Sequence, residues 1–307
     1  FWGISVDNMN FDLNLIKTFV SVYETGSTTL ASEKLFVSQP AITQSIKKLE
    51  ETFNCELFVR LPKGMKPTPS GEILYEDFKR ALNSVQHGVN MLFERNQIEG
   101  GEIVIGSSST IMRGLLLPFI FKFREKHPNI KISIVDGISA QLMGKLKRGD
   151  VDMAIVSEPA QSIEGANRKV ITTIEDCFVV NKNFESDFVS KNELKNYQMI
   201  LQKLPSSNRV FFEKLCKENK VTIVPSLETE SFGIILDFVS NANDMIGFST
   251  KSFIEKDLKT KNIKILKTDF EITPREICVF NMKDRIMANS SRMFLSELET
   301  YFASVKE

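Results

Sequence analysis

Ser38-Gln39-Pro40-Ala41-Ile42-Thr43-Gln44-Ser45-Ile46-Lys47-Lys48-Leu49-Glu50-Glu51-Thr52-Phe53 is the stretch from which the rest of the chain can be read. Ser38 is a good N-cap, and Pro40 sits inside the first turn, where a missing N–H costs little. At about 100° per residue, Ile46, Leu49 and Phe53 fall within about 40° of Ile42 and predict a narrow buried stripe. Pro40, Thr43, Gln44 and Lys47 fall on the opposite face, whose first turns carry no acid. Gln39, at the helix start, can point down into a groove from an azimuth of about 60°. Such a helix suits entry into the major groove by its N-terminus, because Gln pairs with adenine edges, Thr with bases or phosphates, and Lys with guanine or phosphate. On its own the same face would be read as a solvated one.

The neighbours favour the groove. Upstream, Leu15, Phe19 and Val22 share a helical face, Gly26 ends that helix, and Ser27 caps a second helix carrying Ala31 and Leu35. Phe36-Val37 then makes a short turn into the third helix. Downstream, Leu57-Phe58-Val59, Lys63-Gly64 and Pro67-Thr68-Pro69 read as a β-hairpin wing. Arg60, Lys63 and Lys66 lie in it with no acid between Glu56 and Glu72, which suits phosphate or minor-groove contact. Ser70 is the expected cap of a long helix over 71–97. Its stripe of Ile73, Phe78, Leu82, Val85, Val89 and Leu92, about 40 Å long, has to be buried, most simply on a partner chain. Gly100-Gly101 marks the main domain boundary.

The 307 residues predict two domains at roughly 150 each. With 42% hydrophobic residues and equal counts, 39 each, of basic and acidic residues, the chain reads as an ordinary folded protein, and disordered, collagen-like and disulfide-scaffold classes are excluded. No stretch approaches the ~20 apolar residues of a membrane span, and no export signal is visible. Cys55, Cys177, Cys216 and Cys278 are far apart, and His87 and His127 add no metal spacing. They read as core residues in a reduced, cytoplasmic protein. Residues 1–8 precede Met9 without periodicity and read as a leader remnant.

After the boundary, strands over 102–106, 130–135 and 151–156 alternate with helices over 115–126 and 140–148. A second series follows, with strands over 178–181, 199–201, 221–224 and 245–248 and helices over 209–219 and 232–240. Two such series predict an α/β fold in two lobes with a cleft between them. Ser107-Ser108-Ser109-Thr110, at a strand end before a helix, supplies hydroxyls and helix N-terminal N–H groups suited to an anion, or simply a cap and a loop. Arg113 and Arg209 are candidate partners for an anionic ligand, and Gln141 is a further candidate contact.

The sequence closely resembles the LysR-type transcriptional regulators. Phe19, Glu24, Gly26-Ser27, Ala31, Leu35, Ser38-Gln39-Pro40-Ala41, Ile46, Leu49-Glu50, Leu57-Phe58, Arg60, Thr68 and Gly71 follow the family's DNA-binding pattern. Leu117-Pro118, Phe123, His127-Pro128 and Gly149-Asp150-Val151-Asp152 extend the resemblance through the rest. Lys63 departs from a second wing arginine and keeps the charge without the bidentate fork. Leu30-Ala31 departs from paired alanines, Thr43 from the usual serine, and Pro67 from the common leucine.

The resemblance implies a winged helix-turn-helix over 9–70, a linker or dimerisation helix over 71–99, and a periplasmic-binding-protein-like effector domain over 100–307. Lobe I is expected over about 100–172 and 274–307, and lobe II over about 173–273. The implied DNA contacts are Ser38, Gln39, Pro40, Thr43, Gln44, Lys47, Arg60, Lys63 and Lys66. The implied effector contacts are Ser107, Ser108, Ser109, Thr110, Ser157, Ser207 and the Ser231 region. Implied partners are operator DNA, a small-molecule inducer for which an anion is one candidate class, a second copy of the chain in a homodimer or homotetramer, and RNA polymerase. No membrane partner and no cofactor is expected. The alternatives are an α/β enzyme with an accessory DNA-binding domain, against which the chain lacks a nucleophile elbow, a phosphate loop and a metal cluster, and a regulator with a vestigial cleft.

Overall fold

The structure, a computed structural model, describes residues 12–96, 100–158 and 163–305. Residues 1–8, Met9 and Gln97 lie outside the described residues. The chain forms two compact units, Phe1–Leu92 and Phe93–Glu307.

In the first unit, α1 (Leu13–Thr25), α2 (Thr28–Leu35) and α3 (Gln39–Phe53) follow one another across tight turns. Gly26 ends α1 at φ 62, and the side chains of Ser27 and Ser38 accept backbone N–H groups at the starts of α2 and α3. Ile42, Ile46 and Leu49 pack on Leu15, Phe19 and Ala31, so the stripe read from the sequence is the inner face. The hairpin of β1 (Phe58–Leu61) and β2 (Gly64–Pro67) turns at Pro62-Lys63.

The long helix α4 (Pro69–Asn96) starts earlier than its sequence suggests. Thr68, not Ser70, caps it: its Oγ1 accepts the Gly71 N–H at 3.1 Å, and Pro69 takes the first position, which has no N–H to satisfy. Its apolar positions also divide differently. Leu74, Tyr75, Phe78 and Leu82 pack into the winged-helix core, whereas Ile73, Val85, Val89 and Leu92 are exposed at 70, 51, 40 and 64%. Besides Ile73 near its start, the distal part of the stripe therefore lacks cover in a single chain.

In the second unit, β3 (Gly101–Ser107) leads into α5 (Ser109–Ile111), a π-helical turn (Met112–Leu116) and α6 (Leu117–Lys126). Then come β4 (Ile130–Val135), α7 (Ser139–Arg148), β5 (Met153–Ser157) and β6 (Ala166–Ile174). The chain crosses at Glu175 into β7 (Asp176–Asn181), β8 (Gln198–Gln202), α8 (Ser207–Glu218) and β9 (Leu227–Thr229). It continues through α9 (Phe232–Asn241), β10 (Met245–Thr250), α10 (Glu255–Thr260) and β11 (Ile263–Leu266). It then returns to the first lobe as β12 (Arg275–Met282) and α11 (Asn289–Val305). The sheet orders are β4-β3-β5-β12-β6 and β11-β7-β10-β8-β9.

Adjacent residues of one strand serve opposite faces. Ile155 and Val279 join Phe119, Phe123 and Phe294 on one side of the first sheet, while Val156 and Phe280 join Leu142 and Leu146 on the other. Val180 and Val179 divide the same way in the second lobe. This two-sided burial is why the central strands are continuous apolar runs. Seven of the phenylalanines are among the largest fully enclosed side chains, so the richness in Phe is spent on the cores, at about 1.5–3 kcal/mol each.

Both sheets are mixed rather than wholly parallel. The strands flanking the two crossings, β6, β7, β11 and β12, pair antiparallel to their neighbours. Sequence periodicity does not announce β6, β11 or β12. β6 is an edge strand with exposed Asn167, Arg168 and Lys169, which hide its pattern. The strand expected over 221–224 does not form: Val224 is 80% exposed before Pro225, and the pairing with β8 falls to Leu227–Thr229 instead.

Candidate functional site

In the first unit, α3 presents Ser38, Gln39, Pro40, Gln44 and Lys47 as exposed residues, with Thr43 half-buried. Gln39 donates its amide to Thr28 Oγ1 at 3.2 Å, which steadies it across the starts of α2 and α3. Thr43 Oγ1 donates to the Gln39 carbonyl at 3.2 Å. The wing is held against these helices at two points. Glu50 Oε1 accepts the Leu57 and Phe58 N–H groups at 2.9 and 3.3 Å, and the Met65 N–H donates to the Gly26 carbonyl at 2.7 Å. Gln39, Thr43 and Arg60 thereby line one concavity of about 270 Å³. Lys63 is at the wing tip, and Lys66 is exposed on β2. Lys47 has an exposed ion pair with Glu51 at 3.5 Å, weak enough to yield to a phosphate.

In the second unit, the cleft between the lobes holds an inner cavity of about 210 Å³ and a larger one of about 540 Å³. Ser109, Thr110, Glu230 and Phe253 form a wall common to both. Ser108, Ser157, Ser207 and Gln141 reach the inner cavity, whereas Ser231 and Arg113 reach the outer one. Ser108 Oγ caps the helix by accepting the Ile111 N–H at 3.3 Å. Ser207 Oγ touches Ser139 Oγ at 2.7 Å, a direct contact from lobe to lobe. A second contact joins Gly114 of the π-helical turn to Phe253, so close that a Cβ on Gly114 would run into the ring.

Two expectations change. Ser107 is fully enclosed with an unpartnered Oγ and lines neither cavity, because its strand position faces the core beside Ile103 and Ile105. Arg209 is buried and committed, donating to Glu213 at 2.6 Å, Glu228 at 2.5 Å and the Gln202 carbonyl at 3.2 Å. It is not available to a ligand. Arg113, exposed and without an ion pair among the described residues, remains so.

Asp136, Gln202, Asn208, Glu230, Phe253 and Arg275 also line the inner cavity, and sequence reasoning does not find them. Asn208, next to Ser207 at a helix start, carries the clearest signal. Arg275 sits at the second crossing, where its guanidinium makes two bonds to Asp176, at 2.6 and 2.9 Å, and one to Ser157 Oγ at 2.9 Å.

Cys177, Cys216 and Cys278 are buried, and burial pushes their thiols up to about 12. A thiol that holds its proton is a packing residue rather than a nucleophile. Cys55 is half-buried in the winged-helix core. His127 ends α6, with Nε2 2.8 Å from Glu297 Oε1. Among the described residues no group of three or more His, Cys, Asp or Glu could hold a metal, and no helix is long and apolar enough to cross a membrane.

Two family models match the chain. The LysR substrate binding domain covers residues 96–303, and the bacterial regulatory helix-turn-helix protein of the lysR family covers residues 13–72. The HTH-type transcriptional regulator CysL of Bacillus subtilis is 22% identical over 296 residues, 95% of this chain and 98% of that protein. The nitrogen assimilation regulatory protein nac of Escherichia coli is 27% identical over 229 residues, 74% of each. Among solved structures, a full-length OxyR variant from Pseudomonas aeruginosa superposes with a TM-score of 0.69 at 18% identity, covering 95% of this chain and 97% of that one. Full-length CbnR in complex with its target DNA gives 0.68 at 17% identity, covering 94% and 99%.

Proposed function

The chain belongs to the LysR family of bacterial transcriptional regulators, and from that membership we propose that it reads operator DNA with the α3 face and wing and senses a small molecule in the interlobe cleft. Gln39, Thr43, Gln44 and Lys47 approach base edges in the major groove, with Ser38 and Pro40 shaping the entry. Arg60, Lys63 and Lys66 meet the backbone or the adjacent minor groove. The observation that carries this is the concavity shared by Gln39, Thr43 and Arg60, which joins base-reading groups to a phosphate-binding group on one surface.

Two copies, paired through the distal half of α4, present two such surfaces. The operator is then pseudo-palindromic, with half-sites about one helical turn apart. Further pairing through effector domains gives the homotetramer. A ligand favouring one lobe arrangement shifts the spacing of the DNA-binding pairs in proportion to its preference for that arrangement. The protein acts in the cytoplasm, where its operator is, with RNA polymerase as a further partner and without catalysing a reaction.

Gel-shift titration tests the DNA-reading face. Gln39→Ala or Thr43→Ala lowers the preference for operator over random DNA, by about 1–3 kcal/mol for each base left unread. Lys66→Ala weakens both equally and flattens the salt slope by about one. Unchanged operator affinity in Gln39→Ala, Thr43→Ala and Arg60→Ala together would place the reading surface elsewhere. For the cleft, Thr110→Ala is expected to abolish the effector response while DNA binding is retained.

A further inference from the structure

The inner cavity has an unusual charge balance. Asp136, in the loop after β4, reaches it from lobe I, and Glu230, in the loop after β9, reaches it from lobe II. Neither carboxylate has an ion pair among the described residues. The one basic residue on the wall, Arg275, is neutralised by its two bonds to Asp176. The wall therefore carries two exposed carboxylates without an ion pair, one on each lobe, and no free positive charge among the described residues. Two carboxylates brought together as a cleft narrows repel, unless a cation sits between them.

The anion site expected at the helix start is already filled. Asp136 Oδ1 accepts the Ser109 N–H at 2.7 Å, so the protein's own carboxylate occupies the position an acidic ligand would take. A second acid there would add a third negative charge to the same cavity.

Two polar side chains on the same wall have hydrogen-bonding capacity to spare. Asn208 lines it, is only 8% exposed, and its side-chain amide bonds to no described residue. Gln202, 6% exposed, gives its amide N–H only to the Glu230 carbonyl at 3.4 Å and leaves Oε1 unused. The free amide atoms of both face the cavity rather than being sealed in the core, so a bound polar group can take up their spare hydrogen-bonding capacity.

We propose that the effector is a small cation, whose ammonium or guanidinium group bridges Asp136 and Glu230 while Asn208 and Gln202 bond its polar remainder. The proposal rests on the reading of the cleft as the effector site. A volume of about 210 Å³ suits a ligand of metabolite size. Because its two carboxylate partners belong to different lobes, such a ligand draws the lobes together, as an effector must if it is to change the protein's arrangement.

Thermal melting of the full-length protein with millimolar putrescine, agmatine, L-lysine or L-arginine, and in parallel with succinate or glutarate, tests this. At least one of the cations is expected to raise Tm by several degrees, and the dicarboxylates to leave it unchanged. Asp136→Asn and Glu230→Gln, which keep shape and hydrogen bonding, should each weaken the active cation about ten-fold or more. A response to dicarboxylates alone, or to none of the cations, overturns the proposal. Gln141→Trp, a substitution at an exposed position on the cavity wall, separates the two readings. If it abolishes a dicarboxylate response, the cleft stands and the charge class falls. If responses of either kind survive it, the cleft reading itself falls.

Discussion

Glu24 illustrates how a single side chain fixes the DNA-binding unit. From α1 it bonds Lys34 of α2 at 2.8 Å and Lys79 of α4 at 2.7 Å, and it accepts the Tyr75 hydroxyl at 3.4 Å. Burial on its own would raise its carboxyl, but the two lysines outweigh that and hold it below the usual glutamate range. A depressed folded value means stability that is present above the unfolded value of about 4.3 and is lost as pH falls through the folded one. Glu24→Gln should therefore cost on the order of 0.5–1 kcal/mol at neutral pH, after allowance for solvent screening of the exposed Lys34. In chemical denaturation of the winged-helix unit, the gap between wild type and variant should narrow once pH falls below about 4.3 and close below the folded value. A gap independent of pH would assign the effect to packing. Gln39, Thr43 and Arg60 were legible as a set because local helical geometry and local charge are written in short windows of sequence. Asp136, Glu230 and Asn208 were not, because the cavity they share is made by folding together loops far apart in the chain.

At the scale of elements, α4 shows what periodicity conveys and what it leaves out. The spacing announces an apolar stripe, yet nothing in it says that Phe78 and Leu82 turn to the chain's own core while Val85, Val89 and Leu92 stay uncovered. The two halves should answer differently to substitution. Phe78→Ala should destabilise the winged helix by about 3–5 kcal/mol. Val89→Asp should leave that stability nearly unchanged, reduce the assembly seen by sedimentation, and weaken operator binding in step. A Val89→Asp protein of undiminished size would remove α4 as the pairing surface. The strands follow the same logic. β3, β5 and β10, buried on both faces, are apolar enough to be found from sequence, whereas β6 lies at an edge and carries the polar residues of a solvated face. Val221–Val224 does not form a strand, and the neighbouring place on β8 is taken by Leu227–Thr229.

For the whole molecule, net charge is a poor guide and its distribution a good one. The 39 basic and 39 acidic residues cancel, but the wing keeps its three cations and the inner cavity of the cleft its two acids. Two compact units are expected to unfold in separate transitions. Arg275→Ala would leave Asp176 buried without its partner, a change worth about 3–5 kcal/mol. In calorimetry that loss should appear in the transition of the effector unit alone, with the winged-helix transition unmoved. A shift of both would mean that the two units unfold cooperatively.

The contact of Gly114 with Phe253 has a genetic corollary. Alanine at 114 would wedge the lobes apart, so a selection for alleles that lock the promoter in its effector-free state should return this codon. Intragenic suppressors should then appear at Phe253, where a smaller side chain gives back the space that the added methyl group took.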